Sequence, residues 1–489
     1  MRRFLPVAVA AALVPAAFAA SSCATNPVTG ARELNFMSEA QEIRLGEQSD
    51  PEIQAEMGLY PDQGLQEYVS GVGMRLAKAS ERPDLPWHFA VVDVPAVNAF
   101  ALPGGYVYVT RGILAHLDNE AELAGVLGHE IGHVTARHSA RAYTRSATAS
   151  IGVAITSIFV PKARPFMGAV QAGLNLALLK YDRDQELQSD HLGAGYVAKV
   201  GWAPAGMSGV LETLGRIGEA SDSRGVPNWL STHPQPADRV TKVAETVETL
   251  EAARPASAWI VNRDPYWQHL NGLIYGDNPR EGFMRGREFL HPDMRFKLRF
   301  PEGWKVQNGK QQVAAAPPNS SGMMLVLQAV PNASGSPLEE LAVASMSKSG
   351  FALVNGESTQ LNRGLAAYHG IYDGQTDNGG VVRVEAAHIS HGGRVFLLAG
   401  LANQAMFRQA QPYFVDTIKS FAPASEAEVG HVTPHRLGFA TVRSGDTWQS
   451  IAERGGGVIP ASDLAVVNGF APDSQPPVGK RIKIVTSGD

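Results

Sequence analysis

The strongest constraint on the fold is a short motif in which two histidines stand four residues apart around a glutamate: His129, Glu130 and His133. Apolar side chains recur with helical spacing from Asn119 to about Arg141. Side chains four residues apart lie on one face of a helix, so both imidazoles can bind one metal ion with the glutamate beside them. The motif therefore predicts a helix that carries a hydrolytic metal site.

Residue spacing leaves two routes to a third metal ligand. A ligand on the same stretch would need glycine at 136 and histidine at 139, where the chain has Ala136 and Ser139, and His138 is out of register. The other route is a carboxylate on a later helix, where Glu186 and Asp190 lie one turn apart. Glu186 would complete the two-histidine, one-glutamate set of a catalytic zinc with an open fourth position. Asp190 could accept a hydrogen bond from a ligand histidine.

Four further motifs lie around this candidate site. They are NAF at 98–100, PGG at 103–105, R-x-x-E-x-x-S-D at 183–190 and THP at 232–234 followed by Arg239. Together with HExxH, this set resembles the HtpX/BepA-type zinc metallopeptidases over about residues 23–251. Asp182 and Ser189 stand where that family usually has serine and alanine. The resemblance implies a mainly helical, zincin-type peptidase domain.

The resemblance also implies roles for individual residues. One zinc ion per chain would be held by three ligands, His129, His133 and Glu186. Glu130 would act as the general base that takes a proton from the attacking water and passes it to the leaving amine. Arg239 is expected to anchor the THP loop by a salt bridge.

His233, in the THP motif, has three interpretations. A scissile carbonyl needs a hydrogen-bond donor for its oxyanion, and a histidine can supply one. The same side chain could instead be a latch that fills the open position of zinc and keeps the enzyme inactive. It could also be a loop histidine that serves only packing. The sequence leaves these alternatives open.

The segment after the Pro-Gly-Gly turn is predicted to form a strand at the edge of a sheet, beside the cleft. It contains Tyr106, Val107, Tyr108 and Val109. An extended peptide could pair with such an edge. Because this binding uses backbone more than side chains, it favours unfolded or loop segments of proteins as substrates.

The N-terminus has the pattern of an export signal, with two arginines before an uncharged, alanine-rich stretch at 4–20. The only cysteine, Cys23, follows in the order Ala-Ser-Ser-Cys, which resembles a bacterial lipobox, although Ala20 stands where leucine is preferred. Cleavage there would leave a periplasmic protein with a lipid anchor, and Ala24 implies sorting to the outer membrane. The alternative is cleavage after Ala19, which would leave a soluble periplasmic protein.

Composition excludes several classes of protein. One cysteine excludes an internal disulfide framework and a cysteine-rich zinc site. The net charge of −5, without a block of like charge, indicates no nucleic-acid partner. With 44% apolar and 18% charged residues, the chain is not largely disordered. The apolar run at 147–160 is followed by Pro161 and is too short to span a bilayer, so we expect a buried or amphipathic helix there.

The pattern along the chain predicts a multidomain α+β protein. A signal peptide (1–22) precedes a peptidase domain (23–255), an α+β domain of unknown role (262–424), a linker (425–436) and a LysM-like domain (437–489). In the middle domain, alternating apolar residues, as at 294–300, predict strands. Helices are predicted from 336 onwards and at about 403–421.

The C-terminal segment resembles a LysM module. The resemblance is carried by SGDTW at 444–448, Asn468-Gly469 and VGKRIKI at 478–484. It implies βααβ order and binding of glycans that contain N-acetylglucosamine, so peptidoglycan is the implied partner. Three consecutive glycines at 455–457 fall between the two helices, near the expected glycan contact. The alternative is a LysM-like unit with only a packing role.

These features predict an exported zinc endopeptidase of the cell envelope, active in protein quality control or processing. One alternative is a non-catalytic envelope scaffold or chaperone bound to peptidoglycan. The intact HExxH motif together with Glu186 and Asp190 argues against it. Another alternative is hydrolysis of peptidoglycan peptides rather than proteins.

Overall fold

The computed structural model describes residues 23–30, 32–34, 37–142, 180–220, 229, 232–234, 237–318, 322–332, 335–375, 381–430 and 432–488. The predicted signal peptide at 1–22 and the predicted apolar helix at 147–160 lie outside these residues.

The first half of the described chain is mainly helical. Its elements are β1 (Cys23–Thr25), β2 (Arg32–Leu34), α1 (Glu39–Met57), α2 (Gln63–Ala79), β3 (His88–Val92), β4 (Ala99–Leu102), β5 (Tyr106–Thr110), α3 (Arg111–His116), α4 (Glu120–Thr135), α5 (Arg183–Lys199), α6 (Ala205–Ala220), α7 (Ala237–Glu251) and α8 (Arg263–Leu270). Local sequence sets several starts: Ser38 and Gln41 form a capping box before α1, and Asp182 and Gln185 form one before α5. Asn119 caps α4 by accepting a hydrogen bond from the Glu122 amide.

Strand β5 lies in the centre of a three-stranded sheet, in the order β3-β5-β4. It pairs with β3 in parallel and with β4 in antiparallel orientation. The prediction that Tyr106–Thr110 forms an edge is therefore wrong. Alternation along β5 indicates a strand, but it carries no information about the parallel partner at His88–Val92, which joins through a long connection. In the part of the chain that the structure describes, β4 is the strand at the edge on the α4 side.

Helices α4 and α5 approach each other closely because glycines line their contact. A Cβ atom on Gly193 of α5 would lie 2.8 Å from the backbone of Gly128 and from the amide nitrogen of His129 on α4. A Cβ atom on Gly132 would lie 3.0 Å from the backbone of Ser189. Without these side chains the two backbones can meet, and the histidines of α4 come within reach of the acidic residues of α5.

The hydrophobic core of the helical unit continues beyond residue 255, where the sequence placed the end of this domain. Tyr266, Trp267 and Leu270 of α8 are fully buried in that core, and Leu273 and Ile274 follow them. Helix α8 thus packs with the helical unit, not with the strands that come after it.

The middle of the chain is rich in antiparallel strands. Its elements are β6 (Phe283–Arg285), β7 (Glu288–His291), β8 (Phe296–Arg299), β9 (Lys305–Asn308), β10 (Gln312–Ala316), β11 (Met323–Val330), α9 (Leu338–Lys348), β12 (Ala352–Leu361), β13 (Leu365–Gln375), β14 (Val381–His391), β15 (Arg394–Asn403), α10 (Gln404–Ser420), β16 (Ala422–Pro423) and α11 (Glu426–Val429). Seven strands form one sheet in the order β12-β13-β14-β15-β11-β10-β9, and four form another in the order β16-β8-β7-β6. Phe407 and Phe414 of α10 pack in a core on one face of the large sheet, and Met346 of α9 in a core on the other.

The C-terminal unit has the predicted βααβ order: β17 (Arg436–Thr441), α12 (Trp448–Arg454), α13 (Ala461–Val467) and β18 (Arg481–Thr486). Strands β17 and β18 pair in antiparallel orientation. The glycine run has a backbone explanation. A Cβ atom on Gly455 would lie 2.3 Å from the carbonyl oxygen of Val485, and Gly456 and Gly457 have positive φ angles of 94° and 67°.

The C-terminal unit packs against the helical unit. Leu437, Val467 and Val485 are buried in the core of that unit. Phe439 stacks on Trp267 of α8 at a centroid distance of 4.9 Å. These contacts join the C-terminal unit to the first half of the described chain. The helical unit, the strand-rich middle and the C-terminal unit together confirm the predicted multidomain α+β architecture. Within the described ranges, no helix is long and apolar enough to cross a membrane.

Candidate metal centre

Four buried side chains converge between α4, α5 and the THP loop. They are His129, His133, Glu186 and His233, and each offers a ligand atom within 4.8 Å of the others. Nε2 of His129 lies 3.0 Å from Nε2 of His133, which lies 3.4 Å from Oε1 of Glu186. The structure thus brings together both histidines of HExxH and Glu186 of α5, which the sequence analysis predicts as the third ligand.

His129 is oriented by a carboxylate. Its Nδ1 lies 2.8 Å from Oδ1 of Asp190, and a carboxylate accepts a hydrogen bond at that position. The proton on Nδ1 leaves Nε2 with its lone pair facing the cluster. This is the contact predicted for Asp190, and it gives His129 the tautomer that a metal ligand requires.

Arg239 lies deep in the site and contacts both acidic residues of α5. Its Nε and Nη2 donate to the two carboxylate oxygens of Asp190, at 2.6 and 2.9 Å, and its Nη1 lies 2.6 Å from Oε2 of Glu186. Nη1 also donates to the carbonyl oxygen of Pro234, so Arg239 anchors the loop as predicted. Burial alone would raise the pKa of the Asp190 carboxyl, but the hydrogen bonds from Arg239 hold that pKa below its usual value.

Glu130 is fully buried beside the cluster, and neither of its carboxylate oxygens has a hydrogen-bond partner in the described structure. Burial raises the pKa of its carboxyl above the usual value. Oε1 lies 3.8 Å from Nε2 of His233. A buried carboxylate with free oxygens can accept a proton from a molecule that enters the site.

His233 lies inside the cluster. Its Nδ1 lies 2.9 Å from Oε1 of Glu186 and 3.3 Å from Nε2 of His129. The backbone before it is tied to the sheet, because the amide of Trp229 donates to the carbonyl oxygen of Val97, just ahead of β4. The Trp229 ring lies 4.7 Å from the ring of His233. Sequence reasoning did not identify Trp229, which no motif marks.

The C-terminal end of α4 is held by a buried ion-pair network. Nη1 of Arg82 donates to the carbonyl oxygen of Val134 and to Oε2 of Glu42, both at 3.0 Å. Arg137 pairs with the same Glu42 and adopts a positive φ of 59°. The network holds the end of α4, which lies two residues after His133. It joins residues 95 positions apart in sequence, so helical periodicity could not reveal it.

The predicted strand residues and Cys23 are not among the four side chains of the cluster. Tyr106, Val107, Tyr108 and Val109 are buried in the central strand β5, where the Tyr108 hydroxyl donates to Asp50 at 2.6 Å. Cys23 lies in β1, where it is the backbone partner of Leu34 in β2.

The residues present fit a divalent metal ion. Two neutral imidazole nitrogens and a carboxylate oxygen are ligands that zinc prefers. Helices α4 and α5 bring these ligand atoms within 4.8 Å of one another. Both oxygens of Glu130 are unpartnered, and one lies 3.8 Å from Nε2 of His233 in the cluster. A helix-borne HExxH pair, a glutamate from a second helix and a buried second carboxylate define the class of zinc metallopeptidases.

Comparison with known proteins agrees with this class. A model of peptidase family M48 matches residues 64–247, and a LysM domain model matches residues 440–485. The beta-barrel assembly-enhancing protease of Escherichia coli (strain K12) is 32% identical over 229 residues, which are 45% of this chain and 47% of that protein. The mitochondrial metalloendopeptidase OMA1 of Schizosaccharomyces pombe is 31% identical over 244 residues, 47% of this chain and 68% of that protein.

The chain belongs to peptidase family M48 and carries a C-terminal LysM domain. It spans about half the length of the first bacterial relatives it matches. Among solved structures, cyanobacterial PsbP from Synechocystis sp. PCC 6803 matches with a TM-score of 0.23 and 13% identity, over 28% of this chain and 91% of that one.

Proposed function

We propose that this protein is a zinc-dependent endopeptidase of the cell envelope. The observation that carries the proposal is the convergence of His129, His133 and Glu186, with the buried and unpartnered carboxylate of Glu130 beside them. The ligand set is suited to zinc, and the family is one of metallopeptidases.

Three residues would hold the ion through Nε2 of His129, Nε2 of His133 and Oε1 of Glu186. Zinc, when bound, supplies a Lewis acid that polarises a scissile carbonyl and lowers the pKa of water towards about 7. Glu130 accepts a proton at a carboxylate oxygen from the attacking water and returns it to the leaving amine. Burial raises the pKa of Glu130, which favours uptake of the proton from water. The protonated carboxyl must then persist until it gives the proton to the leaving amine.

His233 is proposed to act as a latch in the conformation described here. The supporting observation is that its Nδ1 lies among the ligand atoms, within 2.9 Å of Glu186 and 3.3 Å of His129, where a fourth ligand would stand. Withdrawal of the loop would free this position for a substrate carbonyl. The same imidazole could then donate to an oxyanion, so the two predicted roles would belong to two positions of one loop.

An extended protein segment is the proposed substrate, and we assign its docking edge to β4 (Ala99–Leu102) rather than to β5. Support comes from the position of β4 at the edge of its sheet and from the amide of Trp229, which already donates to the Val97 carbonyl ahead of that edge. A substrate backbone could replace this contact when the loop withdraws.

Location in the envelope is proposed from the export-like N-terminus and the LysM domain. Lipid attachment at Cys23 would tether the chain to the outer membrane, and mass spectrometry of the mature N-terminus tests it.

Peptidoglycan is the proposed partner of the LysM domain. Retention of the intact chain by isolated sacculi, and its release by soluble N-acetylglucosamine oligomers, tests that partner.

The principal test compares Glu130→Gln with Glu186→Gln in the intact chain. We expect Glu130→Gln to retain about one zinc per chain and to lose at least about 10²-fold in casein hydrolysis, because the base is removed and the ligands remain. Glu186→Gln should lose zinc as well as activity.

Asp184→Asn, at an exposed acidic residue on the same helix as Glu186, is the matched control and should keep both zinc and activity. Full activity of Glu130→Gln would refute the mechanism. Digestion of sacculi but not of casein would move the substrate class to peptidoglycan peptides. Zinc binding without hydrolysis of either would favour the scaffold alternative.

A further inference from the structure

A row of hydrogen bonds leads away from His133 on the side opposite to the cluster. Nδ1 of His133 lies 2.9 Å from Nδ1 of His138, and Nε2 of His138 lies 3.0 Å from Oε1 of Gln188. His133 and His138 are fully buried, and Gln188 belongs to α5. The row therefore joins the end of HExxH to the helix that carries Glu186.

The order of donors along this row follows from the amide oxygen at its end. The side-chain oxygen of Gln188 only accepts, so Nε2 of His138 must donate to it. A neutral imidazole carries one proton, which leaves Nδ1 of His138 as an acceptor. Nδ1 of His133 must then donate to His138, and Nε2 of His133 keeps its lone pair. That lone pair faces Nε2 of His129 at 3.0 Å, inside the cluster.

The two histidines of HExxH are thus oriented by different kinds of partner. His129 donates to a carboxylate, Asp190, whose charge is shared with Arg239. His133 faces a second imidazole, which is a neutral acceptor. A hydroxyl, that of Ser189, lies 3.3 Å from the same Nδ1 of His138 and can donate to it, which also favours an unprotonated Nδ1.

We propose that His138, oriented by Gln188, is a positioning residue that holds His133 in the tautomer able to bind zinc. The inference rests on the proposed role of His133 as a ligand and deepens it. It gives a function to a histidine that is out of register as a ligand, and whose nitrogens point to His133 and Gln188 rather than into the cluster.

Zinc affinity of the full chain, measured against a competing chelator, tests the proposal with paired variants. His138→Leu removes the acceptor and should weaken zinc binding by about 10- to 100-fold. His138→Asn places an amide oxygen near the position of Nδ1 and should restore affinity close to that of the unmodified chain. Gln188→Glu keeps an acceptor for Nε2 and should retain affinity, whereas Gln188→Met should weaken it.

The tautomer itself can be observed in the metal-free, unmodified chain by ¹⁵N NMR of labelled histidines. His133→Ala identifies the resonances of His133 by their loss. We expect the proton on Nδ1 and an unprotonated Nε2. This measurement needs no variant of His138, so it decides the question even if His138→Leu does not fold.

Three results would overturn the proposal. They are a His133 proton on Nε2, an unchanged zinc affinity in His138→Leu, or an affinity in His138→Asn as weak as in His138→Leu. Neither measurement depends on proteolysis. An inactive chain that shows the expected tautomer and affinities would therefore contradict the proposed function and leave this inference standing.

Discussion

At the scale of single residues, the buried site holds three carboxyl groups and one guanidinium group. Glu186 and Asp190 share one guanidinium, that of Arg239, and Glu130 adds a third carboxylate. Uncompensated buried charge is costly, and a divalent cation among the imidazoles would balance the carboxylates. The same argument explains why Arg239 contacts both acidic residues of α5 and is itself fully buried.

Asp190 contacts both Arg239 and the proposed ligand His129. In Asp190→Asn an amide nitrogen would face the donors of Arg239 or the Nδ1–H of His129, since an amide has one oxygen and Asp190 uses two. We expect zinc affinity to fall by about 10- to 100-fold, measured by chelator competition. Asp184→Asn removes the same charge from the exposed side of α5 and should leave affinity unchanged. Equal affinities in the two variants would contradict the role assigned to Asp190.

Local spacing was sufficient to predict His129, His133 and Glu186, because HExxH and the Glu186–Asp190 pair each lie on one helix with a fixed repeat, whereas His233 was identified only by a family motif. It could not predict their surroundings. The partner of His133 is His138, whose relation to the site depends on Gln188 in another helix. Trp229 contacts the cluster through a loop, and no periodic pattern describes a loop contact.

At the scale of elements, the packing of α4 against α5 determines how the proposed metal ligands are placed relative to one another. The two helices meet through small residues, so the position of the histidines relative to Glu186 depends on how closely the backbones approach. The edge of the neighbouring sheet shows the limit of sequence prediction at this scale. Strand β5 was correctly expected as a strand, yet its central position follows from β3, a parallel partner that alternation cannot identify.

Gly193→Ala tests the close approach of α4 and α5. The added methyl would meet the backbone of Gly128 and His129 at 2.8 Å, so the helices must separate. We expect a loss of about 1–3 kcal/mol in the free energy of unfolding of the metal-free chain, together with weaker zinc binding. Gly195→Ala is the matched control on the same helix, because no atom lies within 4 Å of its added methyl. It should be neutral or more stable by up to about 1 kcal/mol. Equal stability of the two variants would contradict the close contact of α4 and α5 at Gly193.

At the scale of the whole molecule, the C-terminal LysM domain is part of the packing of the helical unit. Its residues Leu437, Val467 and Val485 share one core with α8, so deletion of the domain would expose apolar surface of the peptidase unit. Composition and motif spacing predicted a separate third domain. They could not predict this contact, because the docking surface is built from residues that each unit also needs for its own fold.

Lys483 is the charged residue at the centre of this contact. It is fully buried in β18, and its ammonium donates to the carbonyl oxygens of Leu117, Ala115 and Val467, at 2.6, 3.2 and 3.0 Å. The first two acceptors lie at the C-terminal end of α3, so this lysine links the LysM domain to the segment that precedes the helix carrying HExxH. Burial lowers the pKa of Lys483 to about 8.

The lowered pKa of Lys483 predicts how pH changes stability. Below pH 8 the lysine is charged in the folded and unfolded states, and the full cost of burying the charge is present. Between pH 8 and the ordinary lysine value of 10.5, the unfolded chain retains the proton that the folded chain has lost, so stability rises with pH. The charges that act on it are Asp118 and Glu122, which raise the pKa, and Arg263, which lowers it.

Lys483→Met isolates this contribution, because it keeps a similar volume and removes the titrating group. We expect the free energy of unfolding of the unmodified chain, minus that of the variant, to increase from pH 8 to pH 10 by up to about 1.4 kcal/mol per pH unit. Urea unfolding followed by fluorescence at several pH values gives this difference. Lys480→Met, at an exposed lysine of the same domain, should follow the unmodified chain throughout. A difference that stays constant or falls with pH would show that the pKa of Lys483 is not lowered. It would contradict the burial of Lys483 between the LysM domain and the helical unit.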